Sequence, residues 1–556
     1  MNSGIRISVI FLLLVRIMLL SAGESGDPGA ELDSNYSEIQ KTQNIKCGFP
    51  EMLQAHTPGN QKKLNRLLEN RLDAIDFDRV YISPAGFFRI YYDTEGINAI
   101  PIYDRDLNGI PDYLEFVGKS FDRAWILEID SLGFKPPPDS TGNPRVQYPV
   151  FCRRLGFYGQ TWLEYEIPAL PGINYVTFIE INTNFEDISY PGITDPIVRD
   201  SMAIAVTAAH EFNHALQSGY RLWGENDFFY DLWFIESSAT YMEEVVAGEV
   251  NDYLQYLDYY LGNTLLPLDE STGGYEDYGK VVLEIMLGDL YGRDITRRIW
   301  AESVERRAFP ALEKILIESG TDIESEFQRL ALWLNFTGRR TIPGRYFPDA
   351  KWFPSVNRKM AESFQDFETV LLVDSLPRLS FQWYYAAVNT GVPQHLLLSA
   401  RNSAPARNLS STFVNPVDNS FLRYSAAIPF ELPFLTENSV VSLGVVNTFD
   451  EGSSFFSFDL RSRPLINQEN ENVVVFPQPL KITVSDPYLK FKNLPRDAEI
   501  HIYSGNGFLL KSLRSESSQI AWDLRNSQGD LLGSGVYLFR VVSKVKETSG
   551  KFIIIQ

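Results

Sequence analysis

One pentapeptide restricts this chain more than any other feature: His210-Glu211-Phe212-Asn213-His214, an HExxH motif inside an apolar, helix-forming run. Residues four apart lie one above the other on a helix, so His210 and His214 offer both imidazoles to one ion. Glu211 then falls beside the ion without binding it, where its carboxylate can take a proton from water acidified by zinc. The chain has five histidines in 556 residues, which makes chance a poor explanation for two of them at this spacing around a glutamate. The bland alternative is a solvated helix face with two incidental histidines.

Catalytic zinc normally takes three protein ligands and keeps a fourth position for water or substrate. Glu236 is the candidate third ligand, in the run Leu232 to Glu244, which reads as a second helix. Gly219 as a C-cap and the polar Gly224-Glu225-Asn226-Asp227 allow the chain to reverse, returning Glu236 to the histidines. Glu243, one heptad further on, is a competing ligand or an outer partner that orients a histidine. Glu225, Asp227 and Asp231 read as turn and cap residues.

HEFNH followed by WFIESSATYMEE resembles the gluzincin class of zinc peptidases, whose second helix carries W-x-x-E-x-x-A-x-Y-x-E. The resemblance implies zinc bound by His210, His214 and Glu236, with Glu211 as general base. It also implies a downstream tyrosine at the oxyanion. Tyr278 and Tyr275 are the candidates, and the Tyr-Gly-Lys setting favours Tyr278. The interval before Glu236 is longer than in the aminopeptidase branch, and that branch's G-x-M-E-N motif is absent, so the expected activity is that of an endopeptidase. Residues 80–345 are similar to a family of secreted bacterial metalloproteases. They share an N-G-x-P-D-Y turn at Asn108 to Tyr113, a T-A-A-H-E-F-x-H-A-x-Q run at Thr207 to Gln217, and a closing helix ending in Thr-Gly. The implied fold is α+β, a mixed sheet plus a helical subdomain carrying HExxH.

Strand patterns occur between Val80 and Ile102, clearest at Gly86 to Tyr92, and again at Val146 to Cys152 and Tyr175 to Ile181. By analogy with gluzincins the last of these is the edge strand lining the cleft, to which a protein or peptide substrate adds as a further strand. Helical patterns run from Pro111 to Leu127, Tyr278 to Tyr291, Ile295 to Arg306 and Ile323 to Phe336, with a charged helix at Gln61 to Ile75. Asp104 to Glu115 matches a calcium loop: oxygen side chains at Asp104, Asp106, Asn108, Asp112 and Glu115, glycine at Gly109, and the Ile110 carbonyl. An acidic turn capping the following helix is the plainer reading of the same residues, so Ca2+ is an expectation alongside zinc.

A chain this long divides into several domains. Residues 1–23 read as a signal peptide: Arg6, an apolar stretch to Leu20 broken by Arg16, then Ser21-Ala22-Gly23. No later run is long enough for a transmembrane anchor. A net charge of −21 opposes binding to nucleic acid, so the expected location is secreted or cell-surface. Residues 24–79 form an N-terminal flank or propeptide. Cys47 and Cys152 are the only cysteines, and in an oxidising compartment they could pair. Residues 346–466 alternate short apolar strands with Asn/Ser/Pro turns, as a β-sandwich does. Residues 467–556 follow the order of an immunoglobulin-like type IX secretion sorting domain, although Gln478 stands where that domain has asparagine between two prolines; this implies the secretion machinery as a partner. The rival to a peptidase is a zinc-stabilised surface binding protein that no longer turns over.

Overall fold

The computed structural model describes residues 46–56 and 77–555, apart from residues 226–227, 272, 365–368, 389–393, 401–408, 415–420, 426–429, 436–438, 449–452, 465–472, 483–487, 496, 516 and 544–546. The expected signal peptide, the charged helix at Gln61 to Ile75 and the candidate turn residue Asp227 lie outside the described residues. The fold is mixed α+β with a β-rich C-terminal region, and it divides into two compact units. One holds the described residues up to Asn357 together with Leu376–Trp383 and those of Val446–Ser453; the other holds the rest. Returning segments are tied to the first unit by hydrogen bonds from Leu268 N to Leu379 O, Phe381 N to Thr264 O and Trp383 Nε1 to Ala331 O.

In the first unit, helix α1 (Phe49–Ala55) precedes strands β1 (Arg79–Ile82) and β2 (Phe88–Tyr92), helix α2 (Asp112–Ala124) and its π-helical extension to Ser131. Then come β3 (Tyr148–Arg153), β4 (Gly159–Glu166) and β5 (Tyr175–Asn182). The sheet order is β1-β2-β3-β5-β4, with β2, β3 and β5 parallel and β1 and β4 antiparallel to their neighbours. This corrects one expectation: the Tyr175 to Ile181 strand is internal, buried at nearly every residue, and its outer neighbour β4 is the edge on that side of the sheet. No strand is legible at β4, because Gly159 and Gln160 open it and its buried positions do not alternate.

Helix α3 (Pro196–Gln217) carries HExxH. Asp195 caps it, accepting from Ile197 N, and Pro196 supplies a first-turn residue with no amide to satisfy. From Met202 to Gln217 every residue is buried. Phe212 lies on the side opposite the histidines and packs at 5.1 Å edge-to-face against Phe88 and 5.6 Å stacked against Trp125. That aromatic anchor fixes the rotation of α3 and so turns His210 and His214 toward the site. The helix ends at Ser218, whose Oγ donates to His214 O; Gly219, the expected cap, does not have a left-handed backbone.

Strands β6 (Gly224–Glu225) and β7 (Phe228–Phe229) form a small ribbon before α4 (Leu232–Ala247), which packs against α3. Asp231 enters α4 in left-handed backbone and accepts from Arg307 and from Ala308 N, a structural role. Short helices α5 (Leu257–Leu261) and α6 (Glu276–Gly279) lead into α7 (Val282–Tyr291), α8 (Ile295–Glu302), α9 (Ala308–Glu318) and α10 (Ile323–Asn335). The pattern Tyr278 to Tyr291 is thus broken into two helices, and α9 has no counterpart among the expected ones.

Strands β8 (Arg358–Phe364), β9 (Thr369–Pro377), β10 (Ser380–Val388), β11 (Gln394–Ala400), β12 (Leu409–Val414), β13 (Phe421–Ser425), β14 (Phe430–Leu435), β15 (Ser439–Asn447) and β16 (Ser453–Pro464) follow, mostly in the second unit, with the stretches named above returning to the first. They form sheets of order β13-β12-β15-β10-β8 and β14-β11-β16-β9. The tail adds β17 (Val474–Phe476), β18 (Leu480–Lys481), β19 (Leu489–Lys492), β20 (Ala498–Ser504), β21 (Leu509–Ser515), β22 (Gln519–Trp522), β23 (Gly535–Val542) and β24 (Glu547–Ile555). Inward residues of its two sheets, among them Phe491, Trp522, Phe539 and Phe552, share one buried core. Among the described residues no helix is long and apolar enough to cross a membrane.

Candidate metal centre

Ligating atoms of His210, His214, Glu236 and Cys47 all lie within 4.8 Å of one another, in a site where each residue is buried. Hydrogen bonds fix which nitrogen each imidazole offers. Gln217 Nε2 donates to Ile235 O at 3.0 Å, so its Oε1 is an acceptor and His214 Nδ1 must donate to it at 2.8 Å. His210 Nδ1 likewise donates to Glu243 Oε1 at 2.7 Å. Both Nε2 atoms therefore turn inward, 3.1 Å apart. Glu236 faces them at 3.3 Å and 3.6 Å, and neither of its oxygens has a hydrogen-bond partner.

Two inward nitrogens and an unpartnered buried carboxylate require a positive charge among them. A proton can supply it: burial opposes the charge on His210, but Glu236 and Glu243 outweigh that and push its pKa up to about 9. Burial opposes ionisation of Glu236 too, yet His214 and His210 bring it down to about 2. Zinc fits the same atoms. Nitrogen ligands 2.0–2.1 Å from a tetrahedral ion stand about 3.3 Å from each other, close to the spacing observed. Glu243 faces the outer nitrogen of His210, where it orients the ring rather than entering the cluster.

Glu211 is held by Thr161, whose Oγ1 lies 2.8 Å from both its Oε2 and its carbonyl oxygen and shares one hydroxyl proton between them. Gly159, two residues earlier on β4, lets the strand approach: a Cβ there would stand 2.8 Å from Glu211 Cγ and 2.7 Å from Thr207 Cγ2. The Tyr278 ring stacks on His210 with centroids 5.7 Å apart, and its burial beside Glu236, Cys47 and Glu211 raises its pKa far above the ordinary phenol value. Gly279 permits this approach, since a Cβ would meet Tyr256 O at 2.7 Å. Tyr275 stands one ring further out, 6.2 Å from Tyr278.

Sequence reasoning overlooks Cys47 and Lys46. The cysteines do not pair: both are free, with Cys47 at the histidines and Cys152 in β3 beside Tyr113. Burial pushes the Cys47 thiol up, and Glu211 and Glu236 push it further. Lys46 Nζ reaches Glu243 Oε2 and Asp252 Oδ2, each at 2.7 Å. The available signal was scarcity, one of only two cysteines lying in the N-terminal flank beside a lysine. Next to the cluster opens a cavity of about 680 Å³, lined by Cys47, Glu51, Tyr230, Trp233, Tyr275 and Tyr278 among others.

Away from this site, carboxylate oxygens of Asp104, Asp106 and Asp112 converge within 4.8 Å. Loop amides fill the loop's interior: Gly109 N donates to Asp104 at 2.8 Å, and Ile110 N to Asn108 Oδ1 at 2.8 Å. Asn108 Nδ2 donates to Asp106, and Glu115 instead pairs with Lys119 at 3.3 Å, outside the acidic cluster.

No family model matches the chain, and no curated protein does. Among solved structures it resembles PorZ, a bacterial surface component of the type-IX secretion system of Porphyromonas gingivalis, at 23% identity and TM-score 0.16, over 18% of this chain and 14% of that one. Latent dimeric PorU from the same organism matches at 18% identity and TM-score 0.13, over 36% and 19% of the two chains. PliG of Salmonella Typhimurium, a periplasmic lysozyme inhibitor, matches at 13% identity and TM-score 0.15, over 19% of this chain and all of that one. Scores this low define neither a shared fold nor a function for this chain.

Proposed function

We propose that the first unit is a zinc-dependent endopeptidase, with His210, His214 and Glu236 as metal ligands. The observation that carries this reading is the convergence of two inward Nε2 atoms on a buried carboxylate without hydrogen bonds, with a second carboxylate, Glu211, beside them. A zinc ion in such a set supplies Lewis acidity, polarising a carbonyl and acidifying water. Glu211, aligned by Thr161, takes the water's proton and passes it to the leaving amine. Tyr278 presents its hydroxyl to the developing oxyanion. The outer edge of β4 offers backbone groups to an extended peptide, so substrate is selected largely through its main chain. The order of landmarks in the tail supports export through a type IX pathway and a protein that works outside the cell. Calcium at Asp104, Asp106 and Asp112 is a second, structural proposal.

Metal analysis and peptide-library digestion of the mature protein test the reading. Glu211→Gln should keep about one zinc per chain and lose cleavage by two to four orders of magnitude. Wild-type cleavage by that variant would overturn the mechanism. A zinc-loaded protein that cuts nothing even with Cys47 replaced by Ala would favour the surface binding protein instead.

A further inference from the structure

Cys47 stands where the fourth ligand of the cluster belongs. It is 1% exposed, its sulfur lies within 4.8 Å of the ligating atoms of His210, His214 and Glu236, and it faces Glu211. Catalytic zinc leaves that position open for water or substrate, whereas a fourth protein ligand, commonly a thiolate, closes it. Glu236 points into the same space: both its oxygens are buried, facing the inward nitrogens of His210 and His214 at 3.3 Å and 3.6 Å.

The residues around Cys47 hold it in place from three sides. Lys46 is buried and joins Glu243 to Asp252. Phe49 stacks on the His214 ring with centroids 4.2 Å apart, and its backbone N–H donates to Cys47 Sγ at 3.3 Å. Along the backbone, Tyr158 N donates to Lys46 O at 3.0 Å and Gly48 N to Gly159 O at 3.1 Å, with Cys47 bridged in parallel to Gly159. One short segment thus covers the fourth metal position, lies on the edge of β4 where a substrate strand would add, and walls the cavity beside the cluster.

We propose that Lys46–Ala55 is an inhibitory segment that keeps the enzyme latent, with the Cys47 thiolate as fourth ligand to the metal held by His210, His214 and Glu236. The proposal rests on the metallopeptidase reading above. On ligation the thiol would lose its proton to solvent, and its sulfur would fill the position that the catalytic water needs. When the segment leaves, the thiolate would take a proton from solvent, the metal position would open to water, and the β4 edge would be freed. No oxidant or reductant is involved.

The test loads the full chain with cobalt(II) in place of zinc and compares wild type with Cys47→Ser and Cys47→Ala. Wild type should show visible ligand-field bands together with an intense near-ultraviolet thiolate-to-cobalt band. Both variants should keep one cobalt per chain and the visible bands, lose the near-ultraviolet band, and, loaded with zinc, cut a peptide library at least tenfold faster than wild type. Cobalt bound by wild type without the thiolate band would overturn the sulfur ligand while leaving the metal site standing. Equal cleavage rates in zinc-loaded wild type and variants would overturn the Cys47 thiolate as the cause of latency. Absence of cobalt from all three folded proteins would remove the metallopeptidase reading as well.

Discussion

Each histidine of the cluster is useful only because a residue that never touches the ion decides which nitrogen it presents. Gln217 turns His214, its own orientation set by donation to Ile235 O, and Glu243 turns His210. Glu236 differs, because it faces the inward nitrogens themselves, at 3.3 Å and 3.6 Å, rather than their outer sides. The two glutamates on α4 should therefore behave unequally. Glu236→Ala should abolish stoichiometric zinc, whereas Glu243→Gln, which leaves all three ligands, should weaken affinity by about 10- to 100-fold. Competition against a chelator measures both, and a larger loss in Glu243→Gln would exchange their roles. At this scale much is legible in sequence: helix pitch brings His210 to His214, and a second helix returns Glu236 to them. Cys47 and Lys46 are not, because pairing across a long separation leaves no periodic trace and a lone cysteine in a flank has no motif.

Elements reach their places through packing that the sequence pattern states only in part. Strands β2, β3 and β5 and helices α2, α3 and α4 are readable because each keeps a clear apolar period or run. The edge strand β4 is not readable, since its first residue is the glycine that closeness to Glu211 demands and its first five positions are all buried. Helix α7 carries a testable consequence of burial. Glu284 is 1% exposed, accepts from Ser237 Oγ at 2.6 Å, and burial raises its pKa from 4.5 to about 7. The folded state keeps this proton where the unfolded chain has already lost it, so the stability contribution is full below about pH 4.5 and is lost as pH rises through about 7. Between pH 5 and pH 8 the group should contribute a fall of about 2–3 kcal/mol, which Glu284→Gln should remove. Urea unfolding at the two pH values checks this, and an identical fall in wild type and variant would show that Glu284 titrates normally. In the acidic loop before α2, the three converging carboxylates repel one another unless a cation joins them. Added calcium at a hundred times its dissociation constant should then stabilise the fold by about 2.7 kcal/mol, and a melting temperature indifferent to calcium would leave the loop as an acidic turn closed by its own amides.

For the whole molecule, the question is whether catalysis and export are separable. The cluster, the general base and the tyrosine all come from residues 46–278, and the core formed by Val475, Phe491, Trp522, Phe539 and Phe552 belongs to the tail alone. A segment that buries its own core can fold by itself, and among the described residues the tail contributes no ligand to the cluster. A chain ending near Asn467 should therefore fold, bind one zinc and, with Cys47 replaced by Ala, cut peptides within about twofold of the full-length Cys47→Ala protein, since sites without shared partners act additively. In the native host the same truncation should stay in the periplasm. The two outcomes are independent, so they can fail separately. A folded, zinc-loaded truncation that cuts nothing would mean that the tail completes the substrate site, whereas normal delivery to the surface without the tail would remove its role as a sorting signal and leave it as a spacer.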